Sequence, residues 1–176
     1  MHWEERLLAV FDDLEQQAEG LALGARDAEV AELGRSEYAA VDLASRLHGA
    51  LGSPVRLTVT GAGTLTGRVA RVGSDWLLLE SEPHEWLVRL DALADVRGLG
   101  ERAVDARHRA TTARLGFGSA LRGVAEERDA VVVHRQDGTT LRGVPRRVGA
   151  DFVELAETEG GTVVVAFTAV TGVRRG

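Results

Sequence analysis

The chain has 176 residues, with 21 Lys and Arg against 27 Asp and Glu, and a formal net charge of -6. This length allows one large domain or two small ones with a buried core, and the acidity opposes indiscriminate attraction to phosphate backbones. The absence of cysteine excludes disulfides, thiolate metal sites and thiol nucleophiles.

The N-terminal stretch is acidic, since residues 1–50 hold eleven acidic residues and four arginines. Its start lacks the basic region and apolar core of a signal peptide, and no apolar run approaches the ~20 residues of a membrane span. We therefore expect a cytoplasmic protein with no membrane partner.

Two helical patterns fill this stretch. Apolar residues from Trp3 to Leu21 fall on one stripe, and a second pattern runs from about Asp27 to Leu51, where Gly52-Ser53-Pro54 ends it. These patterns predict an acidic helical hairpin or coiled coil over residues 1–52. A solvated acidic face is the usual interpretation of such charge, and a docking helix is the alternative.

The rest of the chain is organised by an internal repeat. Residues 55–80 read VRLTVTGAGTLTGRVARVGSDWLLLE and return without a gap as residues 131–156, VVVHRQDGTTLRGVPRRVGADFVELA. Gly67 matches Gly143 inside the second strand of each copy, which predicts a bend or a close backbone approach there. Pro145 removes a backbone donor, so its strand is expected to be an edge or bulged.

Within each copy the apolar period changes to two, as in half-buried strands. The strands predicted for the first copy are Val55–Thr60, Thr64–Val72, Trp76–Glu80, Trp86–Leu90 and Asp95–Leu99. Five short, bent strands are too few for a flat sheet with a good core, whereas closing them into a small barrel removes the edges.

Residues 101–129 are predicted to form an Arg-rich linker and a helix between the copies. The expected fold class is therefore α+β, with the N-terminal helical segment followed by two five-stranded antiparallel β-barrels in tandem. The first barrel is expected over residues 53–100 and the second over residues 130–176.

The repeats also carry recognisable motifs. DGTTLRG followed by GADFVEL resembles the first Sm motif, and TAVTGV (Thr168–Val173) and DALADV (Asp91–Val96) resemble the short turn into the last strand. Over Val55–Gly98 and Val131–Arg174 the chain thus resembles the Sm-like fold, including its bacterial Hfq branch, within the SH3-like small barrels. The helical segment with both repeats also resembles a group of uncharacterised proteins from high-GC bacteria.

That resemblance implies RNA binding, but the base-pocket positions depart from the family pattern. Sm proteins use a His or aromatic residue, an apolar residue and then Asn, whereas this chain has Asp75-Trp76-Leu77 and Asp151-Phe152-Val153. An Asp in the stacking position repels a nucleic acid, and an apolar residue in place of Asn cannot read a base.

The sequence shows no working catalytic constellation. Its five histidines are isolated from one another and lack metal-ligand spacing. We therefore predict a protein that is not an enzyme, with no catalytic, cofactor-binding or metal-binding residues, no cofactor and no small-molecule substrate.

Arginines are the strongest hint of a ligand, because residues 101–176 hold twelve arginines against ten acidic residues. They could pair with the acidic half, bind a protein partner or bind nucleic acid. We expect an assembly module that mediates protein–protein interaction or self-association, and the alternative is RNA or single-stranded nucleic-acid binding through the second copy. The candidate contact residues for either role are Arg142, Arg146, Arg147, Arg174 and Arg175.

Overall fold

The computed structural model describes residue 29 and residues 32–108, 111–158 and 160–176. The chain divides into two compact units, residues 1–41 and 42–176. In the first unit, residues 32–39 are helical and exposed. The helix predicted from Trp3 to Leu21 lies outside the described residues.

The second predicted helix is interrupted. Residues 40–42 leave the helical conformation, and helix α1 (Leu43–Gly49) follows. Asp42 caps α1 by accepting a 2.6 Å hydrogen bond from the Ser45 N–H, which satisfies an unpaired donor of its first turn. The predicted coiled coil is wrong for the described residues, because α1 packs Leu47 into a core formed with strands.

Ten β-strands follow α1 among the described residues of the second unit. The positions of the first five agree with the strands predicted for the first copy to within a few residues at each end. The ten strands are β1 (Pro54–Val59), β2 (Gly63–Val72), β3 (Trp76–Ser81), β4 (His84–Arg89), β5 (Leu93–Arg97), β6 (Val131–Arg135), β7 (Thr140–Val148), β8 (Phe152–Glu157), β9 (Thr162–Ala166) and β10 (Val170–Arg175), with helix α2 (Phe117–Glu126) before β6.

The prediction of two closed five-stranded barrels in tandem is wrong. All ten strands form one open antiparallel sheet in the order β5-β1-β2-β3-β4-β10-β6-β7-β8-β9. The last strand of the second copy pairs with β4 of the first, with Leu87 opposite Val173 and Trp86 opposite Arg174. Because β10 satisfies the free backbone groups of β4, the first copy does not need to close on itself.

Both copies bend their second strand with a β-bulge at the same place. The register of β2 shifts between Val69 and Arg71, and that of β7 shifts between Pro145 and Arg147. The bulge predicted at Pro145 is therefore confirmed. Since β2 bulges without a proline, Pro145 occupies a bend that the repeat already has.

The predicted close backbone approach at the repeat glycines is also confirmed. A Cβ atom on Gly67 would lie 2.2 Å from the Glu80 carbonyl oxygen, and one on Gly143 would lie 2.5 Å from that of Ala156. Each bent strand can cross its neighbour this closely only because no side chain stands there.

The sheet carries two cores, one formed mainly by each copy, and both include residues of β3 and β4. Leu77 and Leu79 belong to the first core, whereas Trp76 and Leu78 pack in the second. Because successive side chains of a strand point to opposite faces, β3 and β4 are covered on both sides.

Candidate functional site

The seam is the pairing of β4 with β10, from Glu85 opposite Arg175 to Val88 opposite Gly172, together with the side chains that pack around this pairing. At one end of the seam, the Asp75 carboxylate accepts a 2.7 Å hydrogen bond from the Phe117 N–H, at the first residue of α2. The N-cap residue of α2 is Gly116, which has no side chain to cap the helix. A residue of the first copy therefore caps the helix that leads into the second copy.

The neighbouring Trp76 joins the same two parts of the chain. Its indole Nε1 donates a 2.8 Å hydrogen bond to the carbonyl oxygen of Leu115, just before α2. The Trp76 side chain is buried in the second core. Trp76, which the sequence places in a strand of the first predicted barrel, thus links the two copies.

An arginine closes this end of the seam. Arg89 is ion-paired with Asp91 and donates to the carbonyl oxygen of Phe167. Its guanidinium also lies 5.7 Å from the centre of the Phe117 ring, a cation–π contact. The side chain of Arg89 is 14% exposed, so it is a part of the seam rather than a free surface charge.

Two of the predicted contact residues lie at the other end of the seam. Arg175 is ion-paired with Glu85 and with Glu127, and the guanidinium of Arg174 lies 5.8 Å from the ring centre of Trp86. Both arginines are half-buried. Because both guanidinium groups already have contacts within the chain, these two arginines are less available to an outside ligand.

His134 packs against the same tryptophan, with 4.7 Å between the ring centres of His134 and Trp86. Burial lowers the pKa of His134 below its usual value, and the positive charge of Arg174 lowers it further. Its Nε2 atom is buried and has no hydrogen-bond partner among the described residues. The neutral imidazole is therefore the form that this position favours.

The other three predicted contact residues lie on β7. Arg142, Arg146 and Arg147 are exposed, and none of them forms an ion pair with a described residue. Val132 of β6 is the register partner of both Arg142 and Arg174, so these two arginines share one face of the sheet. The structure thus divides the predicted set between the seam and an exposed part of β7.

A cleft of about 1020 Å³ lies between α2, the segment before it and the β3–β4 face. Its apolar wall includes Leu78, Leu87 and Val124, and its polar part includes the ion pairs of Arg175. No group of three or more His, Asp or Glu that could hold a metal ion occurs among the described residues. None of the described helices is long and apolar enough to cross a bilayer.

The two edge strands of the sheet differ in chemistry. The edge strand β5 reads LADVR, and its Arg97 Nε atom lies 3.6 Å from Asp95 Oδ1. The opposite edge strand, β9, reads TVVVA, has no charge, and exposes 61% of Val164. Charged side chains on an edge discourage strand pairing, so β5 is protected in a way that β9 is not.

Hydrogen bonds at both ends of β9 define which of its backbone groups pair with β8. The Glu157 N–H donates to Gly161 O, and the Phe167 N–H donates to Asp151 O. Antiparallel pairs alternate in direction, so Thr162, Val164 and Ala166 direct their N–H and C=O groups away from β8. Sequence reasoning missed this edge, although the uncharged run TVVVA between turns was a visible signal.

A scan of the chain against protein-family models finds no match, and a search of curated proteins finds no relative. The resemblance to Sm-like proteins therefore stays a prediction.

Proposed function

We propose that the chain is a non-catalytic assembly module that binds an extended protein segment along the free edge of β9. The observation that carries this proposal is a difference in pairing between β9 and β4, its counterpart in the first copy. Strand β4 is paired along its edge with β10, whereas β9 ends the sheet. Strand addition at such an edge supplies affinity through backbone hydrogen bonds.

The side chains at the two edges support the same proposal. Register places Leu87 and Val164 at equivalent positions, because Val88 lies opposite Leu77 and Val165 lies opposite Val153. Leu87 is covered by the second core and is 3% exposed, whereas Val164 is 61% exposed. The side chains of a strand added to β9 would cover part of Val164, at a position that the second core covers in the first copy.

Uptake of a synthetic strand tests this function. A fluorescent peptide that contains TVVVA between soluble flanks is titrated with the full chain, and its anisotropy is measured. We expect saturable binding that the Val164→Pro variant loses, because proline removes an outward N–H and its ring obstructs an incoming strand. The N–H of Val164 takes no part in the β8 ladder, so the fold should be retained.

The matched control is Val164→Thr, which keeps the N–H and the β-branched shape and should retain binding. Equal binding by the wild-type chain and Val164→Pro would place the peptide elsewhere and reject the proposed edge. No binding by a monomeric wild-type chain, at any concentration up to about 1 mM, would also reject it.

A second candidate function is supported by Arg142, Arg146 and Arg147, which are exposed and have no ion pair with a described residue. We propose that they contact single-stranded nucleic acid through its phosphates. Titration with mixed-sequence RNA at two salt concentrations should show a steep salt dependence, which decreases in Arg146→Ala/Arg147→Ala. Arg56→Ala, which removes an exposed arginine of β1, is the control. Absence of binding at low salt would reject this candidate.

A further inference from the structure

We infer that the segment bound by the β9 edge is β9 of a second copy, in an antiparallel pair about a two-fold axis. This inference rests on the proposed function and names its partner. In a two-fold pair, the same surface patch of each copy forms the interface, so this patch must be self-complementary. Strand β9 meets this requirement because TVVVA has no charge that would repel its own copy.

One register uses every outward backbone group. With the axis at Val164, the two copies of Val164 lie opposite each other and Thr162 lies opposite Ala166. All three residues that direct their N–H and C=O groups outward are then paired in both copies. The same register places the exposed Val164 side chains of the two copies beside each other, where each covers part of the other.

Charges next to the edge are compatible with this pair. Glu154 of β8 is the register partner of Val164, and Arg147 of β7 is the register partner of Glu154. In the dimer the two copies of Glu154 would be three strand spacings apart, about 14 Å. This distance exceeds the screening length of about 8 Å at physiological salt, and each Glu154 has Arg147 beside it.

The competing arrangement is a head-to-tail chain in which β9 of one copy pairs with β5 of the next, as β4 pairs with β10 at the seam. The groups that hold the seam do not recur at the ends of the sheet. Ala166 of β9 holds the position that Arg89 holds in β4, so β9 lacks the cation that closes one end of the seam. The N-cap of α2 is Gly116, whereas the N-cap of α1 is Asp42. In the head-to-tail chain Asp151, the equivalent of Asp75, would therefore face a second carboxylate.

A single cysteine tests the two-fold register directly, since the chain has no cysteine of its own. In this register the two Cα atoms at residue 164 are about 5.5 Å apart, a separation that a disulfide spans. Val164→Cys should therefore form a covalent dimer on mild oxidation. Ala94→Cys, an exposed position on β5, is the matched control and should not.

The mass in solution provides the second measurement. A pair of five-residue strands is a small interface, so we expect the mass to rise from monomer to dimer between about 1 μM and 1 mM. Val164→Lys should remain a monomer, because two ammonium groups would meet at the axis, whereas Ala94→Lys should dimerise normally.

Each alternative result has a different meaning. Masses beyond a dimer that both lysine variants abolish would indicate head-to-tail pairing, which overturns the two-fold pair and leaves strand binding at β9 intact. A chain that stays monomeric but binds the TVVVA peptide would also overturn only the second copy as the partner. A monomer that binds no peptide would overturn the proposed function as well.

Discussion

Asp75 and Asp151 hold the same position in the two copies of the repeat, but only Asp75 meets a helix. Its carboxylate caps α2, whose own N-cap position is a glycine. Asp151 is exposed, and its carboxylate has no hydrogen bond to a described residue. The same residue type thus contributes to the fold in one copy and remains on the surface in the other.

Replacement of these two residues should therefore have unequal effects. Asp75→Ala removes the cap and should lower the free energy of unfolding by about 1 kcal/mol, within the range of 0.5–2 kcal/mol typical of such losses. Asp151→Ala should change it by less than about 0.5 kcal/mol, as surface substitutions do. Urea unfolding of both variants measures the difference. Equal losses would show that capping of α2 is not the role of Asp75.

His134 should make stability depend on pH near neutrality. Burial, followed by the charge of Arg174, lowers its pKa in the folded chain, so the unfolded chain binds the proton first as the pH falls. The free energy of unfolding should therefore decrease below about pH 6.5, the ordinary pKa of histidine, until the folded-state pKa is passed. Denaturant unfolding between pH 8 and pH 5 should show this decrease, and His134→Gln should reduce it.

The control for that experiment is His84→Gln, which removes a histidine at the start of β4 whose Nδ1 lies 3.0 Å from the carbonyl oxygen of Gly176. This variant should keep the decrease seen in the wild-type chain. Carboxylates also contribute to acid sensitivity, so the difference between wild type and variant isolates the histidine. An unchanged pH dependence in His134→Gln would contradict the expected role of His134.

At the scale of elements, the repeat and the period of two located the strands but not their pairing. The alternation of Val55, Leu57 and Val59 depends only on which side of a strand is buried, so it predicts a strand in any sheet. Which edge of β4 is satisfied, and by what, depends on a segment 90 residues away, as the pairing of Glu85 with Arg175 illustrates. Local patterning does not encode that choice, so the prediction of closed barrels failed.

The two copies nevertheless differ in a way that reflects their surroundings. The first copy reads Trp76-Leu77-Leu78-Leu79, a continuous apolar run, because both faces of β3 are covered. The second copy reads Phe152-Val153-Glu154-Leu155, in which Glu154 faces away from the core. The structure likewise separates the buried Leu87 from the exposed Val164, so the difference between the two copies reflects the free edge without identifying the partner of β4.

At the scale of the molecule, the placement of two cores on opposite faces of β3 and β4 links the two copies. Leu87 packs in the second core, and its neighbour Val88 packs in the first. Unfolding either core would expose apolar side chains of the same two strands and remove the pairing partner of β10. Neither copy can therefore open without loss of contacts that the other copy needs.

This coupling predicts one cooperative unfolding transition rather than one for each copy. Leu79 and Leu155 hold equivalent positions and are 0% and 1% exposed, one in each core. Leu79→Ala and Leu155→Ala should each lower the free energy of unfolding by about 2–5 kcal/mol, the usual cost of such a truncation. Circular dichroism of the strands and fluorescence of the tryptophans should report the same midpoint in the wild-type chain and in each variant. Two separable transitions, one moved by Leu79→Ala and the other by Leu155→Ala, would show that the copies fold independently and that the seam only docks them.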